Sequence, residues 1–191
     1  MIRIRWWWPI VGVAAMILLG LAVRRGPIPL DDWFQEHDNS VARALSYLAN
    51  PLSLAILGFA VVGMALYRRW RRLAAVAVVL PPAAYLLVQF IKPLFGRMKG
   101  DGLAYPSGHI TTTTVVLGLF VLVAGGALWA LLIAVSYATL AMIGVGSTFH
   151  YFTDTIGGML LGTSIVCCAA LVAWRDLTRV NPGAIYVTRG G

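Results

Sequence analysis

The sequence predicts an all-α integral membrane protein with six transmembrane helices and a short amphipathic helix at the membrane interface. Three observations carry that expectation: 60% of the 191 residues are hydrophobic, only 12% are charged, and the mean hydropathy is +0.82. Soluble domains do not combine such values, and long apolar runs belong in lipid. At this length a single domain spanning residues 1–191 is expected.

The six apolar segments are residues 6–23, 52–67, 73–91, 110–124, 127–145 and 155–174. Several fall short of the ~20 residues that cross a ~30 Å hydrocarbon core, so flanking residues must extend them. Trp6, Trp7 and Trp8 suit an interfacial aromatic belt at the first span. A cleaved signal peptide is the competing reading of residues 1–25, but the run ends in "VRRG" and not in small cleavage-site residues.

Between the first two spans, Trp33 or Phe34, His37, Val41, Leu45 and Leu48 recur at helical spacing, with Asp32, Glu36, Asn39 and Arg43 opposite. That pattern predicts one amphipathic helix on the membrane surface, with Asp31 or Asp32 as its N-cap and His37 as a surface residue. Pro81-Pro82 falls inside the third span, which membrane helices tolerate when neighbours satisfy the freed carbonyls. Gly125-Gly126 is the expected tight turn between spans four and five. Cys167 and Cys168 are neighbours on a helix and diverge, which implies neither a bridge nor a metal site.

Fifteen Lys+Arg face seven Asp+Glu. With no soluble domain to present a basic surface, nucleic-acid binding is not expected; the charge sets orientation instead. Six spans place nine arginines against Asp176 alone on one side, including the "RRWRR" loop and the 175–191 tail. The other side balances six cations against six acids. The first side, with the tail, is therefore expected in the cytoplasm and the second outside.

Two outward loops, residues 92–109 and 144–154, hold nearly all the candidate chemistry. They contain Lys92, Arg97, Lys99, Ser107, Gly108, His109, His150 and Asp154. The chain's two lysines both lie in the first loop, whereas arginine is used everywhere else. On one helical turn, His150 and Asp154 would share a face, and the carboxylate would fix the imidazole tautomer and free the other nitrogen. The Pro106-Ser107-Gly108-His109 turn opens an apolar run and would aim backbone N–H groups at an anion. Cations, N–H donors and two histidines suit phosphoryl transfer, one histidine attacking phosphorus and the other protonating the leaving oxygen. No metal or other cofactor is expected, since no carboxylate cluster has ligand spacing and no nucleotide-binding G-x-x-x-x-G-K-[ST] occurs.

Lys92 with "LFGR" after it, then Pro106-Ser107-Gly108-His109, then His150-x3-Asp154 resemble the three blocks of the type 2 phosphatidic acid phosphatase superfamily, the integral-membrane lipid phosphate phosphatases. The similarity covers about residues 86–165. The resemblance implies His150 as a nucleophile forming a phosphohistidine, Asp154 orienting it and His109 as general acid. It also implies that Lys92, Ser107 and the Gly108 N–H hold phosphate oxygens, without a metal.

Two positions depart from the family. Lys99-Gly100 stands where the family has Arg-Pro, and Ile143-Gly144 where it has Ser-Arg. Lysine keeps charge but loses the planar fork, so Arg97 is expected to fill part of the gap. If the pocket has the family's shape, an arginine placed at 144 is expected to raise the rate or leave it unchanged, and a collapse of activity would mean a rebuilt pocket.

The expected substrate is a membrane lipid phosphate: a polyprenyl phosphate or diphosphate, a phosphorylated prenyl sugar, or a phosphatidic-acid-type lipid. Its partner is the bilayer itself, and an Ala-, Val- and Arg-rich composition points to a bacterial cytoplasmic membrane with the site facing out. A lipid-phosphate binder without turnover, and behind it a small transporter or proton relay, are the competing readings.

Overall fold

The computed structural model describes residues 4–173, and its core is a bundle of six apolar helices. In chain order the helices are α1 (Ile4–Val23), α2 (Pro29–Glu36), α3 (Ser40–Ser46), α4 (Pro51–Tyr67), α5 (Arg71–Phe95), α6 (Gly108–Val123), α7 (Leu128–Ser147) and α8 (Phe152–Val172). A small hairpin, β1 (Met98–Lys99) and β2 (Gly102–Leu103), sits between α5 and α6. The six predicted apolar segments lie on α1, α4, α5, α6, α7 and α8. The 175–191 tail, Trp174 and the charges of Arg3 and Arg5 fall outside the described residues and side chains.

Among the described residues, four helices are long and apolar enough to cross a membrane: Trp6–Val23, Arg71–Phe95, Leu128–Ser147 and Phe152–Val172. A fifth is added if Ser40–Ala49 and Pro51–Tyr67, bent by 41° at Asn50, count as one broken span. The fourth segment, α6, has only 16 residues, about 24 Å at 1.5 Å per residue, less than the ~30 Å hydrocarbon core. The bundle's outside remains apolar: Phe59 and Phe90 are each 78% exposed, as a lipid-facing surface requires.

Helix α6 is the centre of the bundle and packs against α4, α5, α7 and α8. Four threonines follow Gly108-His109-Ile110 in α6, and two of their hydroxyls return to the backbone. Thr111 Oγ1 donates to Ser107 O at 2.8 Å, and Thr113 Oγ1 to His109 O at 2.7 Å. Small residues on α8 allow the close approach: a Cβ on Gly158 would lie 2.6 Å from Ser107 O. This contact fixes the head of α6 against the second turn of α8.

The expected single amphipathic helix is two helices. Asn39 accepts from Ala42 N at 3.0 Å and starts α3 as a separate element. Asp31 is not an N-cap: Ile28 caps α2, Pro29 is its first residue, and the Asp31 carboxylate receives Ile28 N at 3.2 Å. Nor does α2 simply rest on a surface, since Asp31 is fully buried. His37 is exposed, its ring nitrogen 2.7 Å from Trp33 O. At the other end, Gly125 and Gly126 both take φ +74 and form the expected turn, and Arg68 ties the α4–α5 loop to it by donating to Val123 O at 3.0 Å.

Candidate active site

His150 ends the α7–α8 corner, and its N–H reaches back to Val145 O at 3.0 Å. It precedes Tyr151, the N-cap of α8, so His150 and Asp154 do not share a helical turn; the corner apposes them instead. Asp154 accepts Tyr151 N at 2.9 Å through Oδ2, and that same oxygen lies 3.7 Å from His150 Nδ1. This separation is an ion-pair distance, longer than a hydrogen bond. Nδ1 is buried and has no hydrogen-bond partner, which leaves the Asp154 carboxylate as its electrostatic neighbour.

His109 is carried one residue into α6, whose start is set by Ser107: the hydroxyl oxygen receives Ile110 N at 3.4 Å. Ser107 N–H in turn donates to Asp154 O at 3.0 Å, joining the two sequence blocks through the backbone. The His109 and His150 rings stand 5.7 Å apart, centroid to centroid. They line a cavity of about 720 Å³ whose wall also includes both lysines, Lys92 and Lys99. Residues far apart in the chain thus meet at one end of the bundle.

Both ammonium groups are held by carbonyl oxygens. Lys92 Nζ donates to Leu103 O at 2.8 Å, and Lys99 Nζ to Thr148 O and His150 O at 2.8 and 2.9 Å. The hairpin delivers Lys99 to this position. Its two-residue turn, Gly100-Asp101, places Gly100 at φ +58, where proline's fixed negative φ cannot follow. Burial pushes the Lys99 amine below the ordinary lysine value, against the opposing pull of Asp154, Asp31 and Asp38.

The remaining predicted residues do not join the cavity wall. Ser107 is fully buried as the α6 cap, and Gly108 lies on the side facing α5, where a Cβ would touch Tyr85 and Val88 at 3.6 Å. Arg97, expected near the phosphate, is 1% exposed and committed elsewhere. Nη1 donates to Asp154 Oδ1 and Thr153 Oγ1 at 2.7 and 2.6 Å; Nη2 donates to Asp31 Oδ2 and Gly26 O at 2.7 and 3.1 Å. Both carboxylates are fully buried. Burying three charges is sustained by their mutual pairing and by the four bonds from Nη1 and Nη2, while Nε has no partner among the described residues. The two Nη groups are thus committed, and they hold Asp154 beside His150.

That network explains what α2 does. Asp31 also accepts Thr153 N at 2.9 Å, Gln35 Nε2 donates to Gly146 O at 2.7 Å, and Phe34 stacks on Phe152 at 3.8 Å. The surface segment therefore clamps the corner carrying His150. Sequence reading missed Asp31 because a carboxylate at a helix start already has an ordinary role as a cap.

Position 144 is likewise closed to the expected arginine. A Cβ there would lie 2.3 Å from Ser46 N and 2.5 Å from Leu45 C, both backbone atoms of α3. The condition on that expectation is therefore not met: α3 occupies the space into which a side chain at 144 would extend.

A second cavity of about 660 Å³ opens between α4, α5 and α6, lined by apolar residues such as Leu54, Phe59, Val78 and Val116. It shares His109 and Pro51 with the first. Among the described residues, no group of three or more His, Cys, Asp or Glu side chains is placed to hold a metal. Compared with known protein families, curated proteins and solved structures, the chain gives no match.

Proposed function

We propose that this protein removes phosphate from a membrane lipid through a phosphohistidine on His150, at the outer face of a bacterial cytoplasmic membrane. The observation that carries the reading is the convergence of His109, His150, Lys92 and Lys99 on one cavity, with the imidazoles 5.7 Å apart. In the proposed reaction, Nε2 of neutral His150 attacks phosphorus, the bond from phosphorus to the lipid oxygen breaks, and protonated His109 gives its proton to that oxygen. Water then attacks the phosphohistidine, His109 takes a proton from it, and the P–N bond breaks to release inorganic phosphate. Asp154 stabilises the charge that develops on His150, while the ammonium groups of Lys92 and Lys99 stabilise the equatorial oxygens. Ser107 and Gly108 act by fixing the head of α6, and Arg97 by fixing Asp154. No step is assigned to a metal.

A lipid substrate is favoured by the apolar cleft that meets the polar cavity at His109 and Pro51. A headgroup in the one and a chain in the other place the scissile bond beside His109. Polyprenyl phosphates or diphosphates, phosphorylated prenyl sugars and phosphatidic-acid-type lipids all present that shape. Six crossings follow if α4, with 17 residues, and α6, with 16, are both short spans and α3 lies at the outer surface. The arginine-rich end then faces the cytoplasm and the histidine cavity faces out.

The test is phosphate release from a panel of such lipids by the purified protein in EDTA. Release that disappears in His150→Ala is expected. Absence of release from every lipid, with lipid phosphate still bound, would make the chain a binder and reject the hydrolase.

A further inference from the structure

The cations around the cavity differ in what they still offer a phosphate. Lys92 and Lys99 already donate to backbone carbonyls, and each is a point charge without a planar fork. Arg43, on α3, lines the same cavity. Its Nε and Nη2 donate at 3.1 and 3.0 Å to the two carboxylate oxygens of Asp38. Two parallel bonds to paired oxygens are the geometry by which a guanidinium also takes a phosphate. The pair is open to water, its side chains 70% and 33% exposed, and such ion pairs are weak enough to exchange partners.

The helix beneath is fixed. Gly144 lets α7 approach the backbone of Leu45 and Ser46 closely, Asn39 caps its start, and the Tyr137 hydroxyl donates to Leu48 O at 2.8 Å just beyond its end. Arg43 is thus a long arm on a rigid base beside the histidines. The hydrogen bond to Arg43, and then the charges of Arg43 and Lys99, hold the Asp38 carboxyl below the ordinary value. A dianion entering next to Lys99 would meet the same two cations.

The geometry points to Arg43 as the residue that grips the substrate phosphate, with Asp38 as the resting partner it leaves on binding. This rests on the lipid-phosphate reading above and deepens it, because the fork comes from the surface segment and not from the histidine-bearing loops. The exchange is non-covalent: two N–H···O bonds to carboxylate are replaced by two to phosphate, and Asp38 is left to water and Lys99.

Two readouts on the full chain separate this proposal from the hydrolase reading: the dissociation constant of inorganic phosphate, followed by phosphorus NMR, and kcat/KM for lipid phosphate. Arg43→Gln is expected to weaken phosphate binding about ten- to a hundredfold, the loss of charge-assisted hydrogen bonds. Arg43→Lys should recover only part of it, and Asp38→Asn, which removes the competing carboxylate, should tighten it. Arg43 is exposed, so these changes leave the fold intact. Phosphate bound equally well by wild type and Arg43→Gln overturns the proposal, whether or not lipid is hydrolysed. Binding that depends on Arg43 in a protein with no turnover supports it while rejecting the hydrolase. Weaker binding in Asp38→Asn overturns the exchange, and failure of wild type to bind phosphate at all overturns the assignment to Arg43, while kcat/KM for lipid phosphate decides the hydrolase separately.

Discussion

Substituting Gly144 with alanine tests how tightly the surface segment is built into the site. The added Cβ would sit 2.3 Å from Ser46 N and 2.5 Å from Leu45 C, where ordinary contact begins near 3.4 Å. Both obstacles are backbone atoms, so no rotamer change relieves the clash and α3 must retreat by about 1 Å. Overpacking of this kind costs about 1–3 kcal/mol. Gly63 on α4 supplies the internal control, because a Cβ there meets nothing within 4 Å. Replacing Gly63 with alanine removes only backbone freedom and should be neutral or stabilising by about 0.5–1 kcal/mol. Unfolding of both variants in detergent, followed by circular dichroism, gives the comparison, and kcat/KM for lipid phosphate reports whether displaced α3 disturbs the cavity. Gly144→Ala should lose stability and activity together. Equal stability of the two variants would mean that α3 does not pack on α7 as described.

Arg97→Met should destabilise the protein by about 3–5 kcal/mol, because it leaves the buried carboxylates of Asp31 and Asp154 without their cation; denaturant unfolding measures this, and a change under 1 kcal/mol would refute the buried triad. Gly100→Pro should lower expression or activity sharply, since φ +58 is closed to proline; wild-type behaviour would mean the hairpin turn is wrong. Lys99 has an amine lowered by burial, and its phosphate-attracting cationic form exists only below that pKa. Affinity should therefore fall at a lower alkaline pH than an exposed lysine would give. Lys99→Arg, which stays charged, should move the alkaline limb of kcat/KM upward, and an unmoved limb would show that Lys99 does not set it.

The helices were legible because apolar runs and the Gly125-Gly126 turn declare themselves locally. The break between α2 and α3 was not, since Asn39 looks like any polar residue on an amphipathic face until its side chain is seen capping Ala42 N. The shortness of the fourth segment was legible too: residues 110–124 fall below the length of an ordinary span, and α6 has 16 residues. At the site, His109, His150, Lys92 and Lys99 could be picked out by residue type and spacing, and the structure brings them together. Arg97 was placed correctly in the chain and assigned the wrong neighbour. Its partners Asp31 and Asp154 come from α2 and α8, and long-range pairing of buried charges leaves no periodic trace. Arg43 was invisible for a related reason: an exposed arginine opposite an apolar stripe is the ordinary solvent face of a helix.

The proposed hydrolysis passes through covalent chemistry at one imidazole, and the intermediate can be sought directly. Wild-type protein turning over a lipid phosphate, quenched in alkali where phosphohistidine persists, should carry phosphate on the peptide containing His150. The label should be absent in His150→Ala. Phosphate on another residue, or continued release by His150→Ala, would contradict it.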